Sequence, residues 1–348
     1  MKILIVVPSY PKFSGVDFHR IVEPHKIIGK YDGVEIDMIN EIDSAEIPFL
    51  TQYDFCVVNR FLSKTHDYSS LIQKLKKARL RYILDLDDDY MLPAWHILHG
   101  VAKEKHHSLQ IVEAVKSAYA VTTTNERLAA AINAEIGKTK CGIIPNGINP
   151  VDQFEPRQVE FERPRMGWSG SITHFEDVLL MHDAIRYLYQ SESKFTVVHG
   201  GYDGTDMTSC AIAGILSAKG TADEHSFMTF PATDVLNYGT FYDNIDISLI
   251  PLRDNRFNSM KSNLKMLEAG FKRKSVIVSH VHPYIGLIEH AWNCLSVKHK
   301  NDWYKHMKAL VESKDLRETL SEQLYEDVQD YHIERVAELR YKFYKSIL

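Results

Sequence analysis

Long hydrophobic runs are missing from this chain. The longest, Ile3 to Val7, is strand-sized, far short of the ~18 apolar residues a membrane span needs. It follows a single Lys after Met1, which is not the charged region and long apolar core of a signal peptide. The expectation is a cytoplasmic protein. Cysteine is scarce: Cys56, Cys141, Cys210 and Cys294 lie far apart and form no C-x-x-C pair. That argues against a disulfide framework and a structural zinc site, and leaves buried reduced thiols. An excess of one charge sign is also lacking. The net charge of −5 gives no global reason to bind nucleic acid, although it leaves a local basic cleft open. Repeats and low-complexity tracts are absent. Disordered and collagen-like classes fall away too, because 45% hydrophobic and 25% charged residues is an ordinary globular balance.

What is present is a steady alternation. The 348 residues suffice for two domains of ~150–180. Strand-like runs in the first half are Ile3–Val7, Asp54–Val58, Tyr82–Leu86, Tyr119–Thr123 and Cys141–Ile144. In the second half they are Arg165–Trp168, Phe195–His199, Phe227–Phe230, Ile245–Ile250, Ser275–Val278 and Cys294–Val297. Many are apolar throughout rather than alternately, as strands buried on both faces are. Helical stretches separate them, so the expected class is α/β with two Rossmann-like domains of parallel sheet. The pattern breaks at 145–164, where Pro145, Pro150, Pro156 and Pro164 cluster. Proline fixes φ and removes a donor, so this reads as a linker and not an element. The expected domains are 1–150 and 165–330, with 151–164 between them and a last helix over 331–348 packing back on the first. Ligands of open α/β sheets sit at the carboxyl ends of strands, so the expected site is a cleft between facing domains.

The densest stretch of chemistry is Asn258 to Ser279. Read as a helix from about Ser259, it places Lys261, Lys265, Glu268 and Lys272 within a stripe only ~60° wide. Leu264, Leu267 and Phe271 make a separate apolar stripe for the core. A helix N-terminus with two lysines attracts phosphate, and a Glu one turn on accepts bonds from ribose hydroxyls. A solvated i,i+4 charged face explains the same pattern without any ligand.

The segment K-x-x-E-A-G, at Lys265 to Gly270, followed by a strand ending in Ser279, resembles the nucleotide-sugar site of GT-B glycosyltransferases. It is most similar to the retaining family-four enzymes (glycosyl transferases group 1). The resemblance extends over nearly the whole chain, through Ile144-Pro145-Asn146-Gly147-Ile148, Gly167-Trp168-Ser169-Gly170-Ser171 and the C-terminal helices. It implies that Glu268 binds the donor ribose and that Lys261 or Lys265 binds the diphosphate. It also implies a co-substrate that is a UDP or GDP sugar, no tightly bound cofactor and no metal. The family often carries a second Glu eight positions earlier. Here that position is Met260, with Asn258 or Ser259 as the substitutes.

Three further loops complete the candidate site. The stretch Gly167 to Glu176 reads as strand, glycine turn and helix start, with Thr173-x-x-Glu176 as a capping box. The spacing is not G-x-G-x-x-G, so the dinucleotide fingerprint is absent. By resemblance, Gly170, Ser171 and His174 face the donor. The acidic run Asp85-Leu86-Asp87-Asp88-Asp89 follows a strand. Adjacent carboxylates repel unless solvated or paired, which points to partners. A D-x-D metal site belongs to the one-domain GT-A fold, so Asp87 and Asp88 are assigned to the acceptor side. A helix-capping acidic turn is the plainer alternative. The loop after the first strand carries Gly15, His19 and Arg20. In GT-B enzymes such a glycine approaches the reacting sugar, while Arg20 is either an anion contact or an ordinary surface arginine. His96 and His99 follow the acidic run as cleft-lining candidates. Finally, Lys74 to Arg81 is a basic run closing a helix. Cations are favoured there, and the functional reading is contact with a phosphorylated acceptor, lipid-linked or nucleic acid.

The function expected from these residues is transfer of a sugar from a nucleoside diphosphate sugar to an acceptor hydroxyl, with retention. The acceptor is a surface-glycan intermediate. The second reading is a hydroxylated pyrimidine base in phage DNA, flipped out of its duplex. A sugar-nucleotide epimerase of the same fold and a non-catalytic binding protein remain as rivals. Turnover of donor, and its dependence on acceptor, separate them.

Overall fold

The computed structural model describes residues 1–60, 68–137, 141–157, 159–220 and 226–348. Among them the chain forms two compact units. The first comprises Met1–Asn149, Met260–Ser262 and Tyr331–Leu348, and the second Pro150–Ser259 and Asn263–Asp330.

The first unit is built on β1 (Lys2–Val6), β2 (Glu35–Ile39), β3 (Phe55–Asn59), β4 (Arg81–Leu86), β5 (Ala120–Thr123) and β6 (Cys141–Ile143). They form one sheet in the order β2-β1-β3-β4-β5-β6, and every pairing is parallel. Alternate residues feed two cores. Leu4, Val6, Cys56, Val58, Leu84 and Leu86 pack on one face. Ile3, Ile5, Phe55, Val57 and Ile83 pack on the other, against Ala337 and Tyr344 of the helix Ile333–Ile347. Burial on both faces is why these strands read as continuous apolar runs.

The second unit repeats the plan. Its strands are β7 (Arg165–Ser169), β8 (Thr196–Tyr202), β9 (Phe227–Pro231), β10 (Ile247–Ile250), β11 (Ser275–Ser279) and β12 (Leu295–Val297). The order β12-β11-β10-β7-β8-β9 reverses direction between β7 and β10, and in the first unit the reversal lies between β1 and β3. Ligands of open parallel sheets bind at such switch points, outside the strand carboxyl ends. Met166, Trp168, Val197, Ile247, Leu249 and Ile277 form the core with Trp303, Met307 and Leu310.

Four features differ from the sequence reading. The edge strand β2 is new, and its side chains are exposed or half-buried. The helix drawn from Ser259 is interrupted: one turn covers Arg256–Ser259 and the helix proper is Leu264–Phe271. Between them Asn125 Nδ2 donates to the carbonyls of Met260 (2.9 Å) and Lys261 (3.0 Å), and Met260 joins the first unit's core. Lys261 therefore does not share a helix face with Lys265 and Glu268. The stretch 151–164 is not bare linker, since Asp152–Phe154 forms a 3-10 turn. There Phe154 is buried, and Gln153 donates to the Val235 carbonyl at 2.8 Å and accepts from Gly239 N–H at 2.8 Å. Residue 158 of this stretch lies outside the described residues. The capping box at Thr173 and Glu176 does not form. Ser171 Oγ caps instead, accepting from Thr173 N–H at 3.3 Å, while Glu176 pairs with Arg253 at 2.7 Å.

Candidate active site

In the second unit a cavity of about 580 Å³ opens at the carboxyl ends of β7, β8 and β9. Ser169, Gly170, Ser171, Gly200, Gly201 and Tyr238 are among its lining residues. The glycines are required by packing. A Cβ on Gly170 would stand 2.8 Å from the Trp168 ring and 2.9 Å from Lys265 Nζ. Gly201 is left-handed at φ +84°, with the Gly170 carbonyl 3.1 Å from where its Cβ would be. Lys265 belongs to the first turn of Leu264–Phe271 and reaches this wall. Its ammonium donates to the Ser169 carbonyl at 2.5 Å and lies 5.4 Å from the centre of the Trp168 ring. A positive charge at the β7/β10 switch point, next to a glycine turn, is what a diphosphate needs.

Glu268, one turn further along, is buried. Tyr242 Oη donates to Oε2 at 2.8 Å, and Tyr238 Oη donates to Oε1. Burial raises the Glu268 carboxyl, against the two tyrosine hydroxyls and Lys265. Its link to the cavity runs through Tyr238, which lines it. The tyrosines lie 30 and 26 residues before Glu268, so no local spacing announced them. Of the other donor-side candidates, Gly170 and Ser171 line the cavity and His174 does not. His174 Nδ1 meets Asp177 Oδ2 at 2.8 Å. Asn258 Nδ2 donates to Asp177 Oδ1 at 3.1 Å and to the Arg253 carbonyl at 2.9 Å. Ser259 Oγ donates to the Arg256 carbonyl at 2.7 Å.

The first unit presents different chemistry at its carboxyl edge. Asp85 is wholly buried. Arg20 binds it bidentately, Nε to Oδ1 at 2.8 Å and Nη2 to Oδ2 at 2.8 Å. Thr122 (2.6 Å) and Arg340 (3.0 Å) add bonds to Oδ2. Burial alone would raise this carboxyl; Arg20 and Arg340 overcome it and hold it at about 2. Arg20 also donates to the carbonyls of Ile144 (2.7 Å) and Pro145 (3.0 Å). It is therefore neither a surface arginine nor an open anion contact.

Asp87 and Asp88 each have a cation. Arg60 Nη2 donates to Asp87 at 2.6 Å, and Lys261 Nζ stands 3.5 Å from Asp88. Burial raises the Asp87 carboxyl, Arg60 opposes it, and the neighbouring Asp88 adds to the rise. Asp89 closes a turn by accepting from Met91 N–H at 2.9 Å. His96 belongs to this group: burial lowers its pKa, Lys261 lowers it further and Asp88 opposes. Leu98 N–H donates to His96 Nδ1 at 3.1 Å, which puts the neutral ring's proton on Nε2. His99 Nδ1 meets the Leu92 carbonyl at 2.8 Å, and burial lowers His19 to about 4. Asn59, at the end of β3, is buried, and among the described residues its Nδ2 has no partner. Sequence reasoning missed Asn59 and Arg60; their position at the end of an apolar run was the available signal. Around Gly15 a Cβ would meet nothing within 4 Å.

Among the described residues no group of three or more His, Cys, Asp or Glu is arranged to hold a metal ion. No helix among them is long and apolar enough to cross a membrane.

Known structures share this architecture. A sucrose-phosphate synthase from Thermosynechococcus elongatus superposes with a TM-score of 0.70 at 14% identity, over 99% of this chain and 98% of that one. A glycosyltransferase from Rickettsia africae gives 0.69 at 13% identity, over 99% and 98%. Anabaena HepE, solved with UDP-glucose, gives 0.68 at 13% identity, over 99% and 100%. No family model and no curated protein sequence matches the chain. At such identities the likeness concerns the fold, and the fold is GT-B.

Proposed function

We propose that the protein is a glycosyltransferase. It moves a sugar from a nucleoside diphosphate sugar, a UDP or GDP sugar, to an acceptor hydroxyl. The observation that carries this reading is Lys265, whose ammonium meets the carboxyl end of β7 at the wall of a cavity that includes Gly170, Gly200 and Gly201. The donor's C1–O bond to the diphosphate breaks and a C1–O bond to the acceptor forms. The acceptor's proton leaves with the departing phosphate oxygen, which is the course that retention of configuration takes. Lys265 meets the charge growing on the leaving group, so the transfer does not depend on metal. Tyr238 and Glu268 act together on the ribose side. Gly170 and Ser171 allow the backbone to approach the phosphates.

The acceptor is assigned to the carboxyl edge of the first unit, at Asp87, Asp88 and His96, with room at Gly15. The rim beside His96 is apolar, with Trp95, Ile97 and Leu98 exposed. Such a rim suits the flat face of a sugar ring or the apolar part of a lipid-linked glycan intermediate. The four cysteines are unpaired, which supports a reducing, cytoplasmic setting.

Thermal unfolding against a panel of UDP, GDP, ADP and CDP sugars tests the donor half, because a ligand of the native state raises its stability. A shift with one nucleotide class, lost in Lys265→Ala, is expected. Release of sugar only when a glycan acceptor is added separates transfer from epimerisation. Full activity after EDTA treatment is expected of the metal-independent course.

A further inference from the structure

The basic run that ends at Arg81 lies at the opposite end of β4 from Asp87. Six residues of extended chain separate the two, about 20 Å. Here the structure forms a second cavity of about 450 Å³, lined by Lys76, Arg79, Arg81, Leu75, Tyr82 and Tyr119 among others, with no acidic residue in its lining.

The three cations are not held as structural charges usually are. Among the described residues Lys76, Arg79 and Arg81 take part in no ion pair. Arg81 lies over the Tyr119 ring, 4.5 Å from its centre. This is a concentration of unpaired positive charge on a chain whose net charge is −5.

Arg79 sharpens the point. The helix Tyr68–Lys77 ends in a Schellman-type turn, with Arg79 N–H bonded to the Lys76 carbonyl and Leu80 N–H to the Leu75 carbonyl, both at 3.0 Å. That puts Arg79 in the left-handed region, at φ 53°, the position that glycine fills by default. The protein has a counterpart at the end of Leu264–Phe271. Arg273 is left-handed at φ 51°, with N–H bonded to the Gly270 carbonyl at 2.9 Å. Arg273, however, pairs with Glu322 and lies 3.7 Å from the centre of the Tyr325 ring. One strained arginine has a resident carboxylate and the other has none.

We propose that this pocket is an anion site for a phosphate- or diphosphate-bearing ligand with an adjoining apolar part. Lys76, Arg79 and Arg81 hold the phosphate oxygens, and Leu75, Tyr82 and Tyr119 flank the apolar part. The ligand is either a free diphosphate or the phosphate headgroup of a lipid, since the cations recognise both alike. The site is separate from the proposed transfer chemistry and does not rest on it.

The test uses the full chain carrying Lys265→Ala, so that the second unit's lysine does not contribute. Inorganic pyrophosphate is titrated by calorimetry, and vesicles of phosphatidylcholine with and without phosphatidic acid are tested by co-sedimentation. Lys76→Gln with Arg79→Gly is expected to weaken the productive arm about tenfold or more, and added salt to weaken it further. Arg79→Gly alone is expected to raise Tm by a few degrees while lowering anion binding, so a folding defect cannot account for the loss. Pyrophosphate binding identifies a free diphosphate, and binding to phosphatidic acid vesicles alone identifies a lipid phosphate. If neither arm depends on Lys76 and Arg79, the proposal is overturned. It is also overturned if a single-stranded oligonucleotide, and neither smaller phosphate source, is what the two variants release.

Discussion

The two units share one topology and put opposite chemistry on the same edge. In the second, the carboxyl ends of β7 to β9 surround a cavity whose lining includes three glycines, Ser169, Ser171 and the aromatic rings of Tyr238 and Phe241, with one lysine bonded to its wall. Its acid, Glu268, is buried behind two tyrosines that donate to it. In the first, the carboxyl end of β4 carries aspartates, three of them matched to cations. Arg20 and Arg340 hold Asp85, Arg60 holds Asp87 and Lys261 stands beside Asp88. A parallel sheet prescribes where a ligand binds and leaves open what the ligand is. The side chains at the strand ends make that choice, and they differ between the two units.

The largest effect should come from breaking the first unit's buried charge network around Asp85. Asp85→Asn leaves two buried arginines short of a carboxylate, which typically costs about 3–5 kcal/mol. Urea unfolding of the variant should show this loss. The sign with pH follows from the depressed pKa. The stability from Asp85 is present above the unfolded value near ~3.9 and disappears as pH falls through about 2. Acid unfolding curves of wild type and Asp85→Asn should therefore converge at low pH.

Next in size is the donor side. Lys265→Ala should weaken nucleotide-sugar binding by about 1.5–3 kcal/mol, roughly ten- to hundredfold in Kd, without unfolding the protein. Calorimetry measures it, and an unchanged Kd would remove the lysine from the site. The acceptor side should respond in the complementary way. Asp87→Asn and Asp88→Asn keep shape and remove charge, so kcat/KM should fall about tenfold while donor affinity stays. Equal losses of donor affinity in both sets of variants would erase the proposed division of labour.

The smallest effect distinguishes the two buried acids by slope. Burial raises Glu268, so its contribution is greatest below its unfolded value near ~4.3 and is lost as pH rises through the folded one. The stability gap between wild type and Glu268→Gln should widen on acidification from pH 7 toward that value, opposite in sign to Asp85.

The sheets were legible because burial on both faces writes itself into the chain. Val57, Ile83 and Val197 sit in runs that only a covered parallel strand tolerates. Strand β2 was not legible, because an edge strand with Glu35 and Asp37 facing water carries little apolar signal. The helix Leu264–Phe271 was half legible. Its spacing is real from Leu264 onward, but the break before it depends on Asn125 taking two carbonyls from 135 and 136 residues away. The aspartate run announced that it needed partners. It did not announce that Arg20, Arg60 and Lys261 were those partners, since long-range pairing leaves no periodic trace.

The bond from Arg340 to Asp85 spans 255 residues, and that sets an order of events during synthesis. The second unit is drawn from one stretch of chain, Pro150 to Asp330, apart from Met260–Ser262. The first unit's sheet is made before that stretch, yet its covering helix, Ile333–Ile347, is made after it. At ~5–20 residues per second, the interval is on the order of ten seconds to a minute. Through that time the Asp85 carboxylate has Arg20 but not Arg340, and Ile3, Ile5 and Phe55 lack Tyr344. The first unit thus completes its fold only after the second unit's stretch of chain has been made, and the ribosome's pace becomes part of its folding pathway.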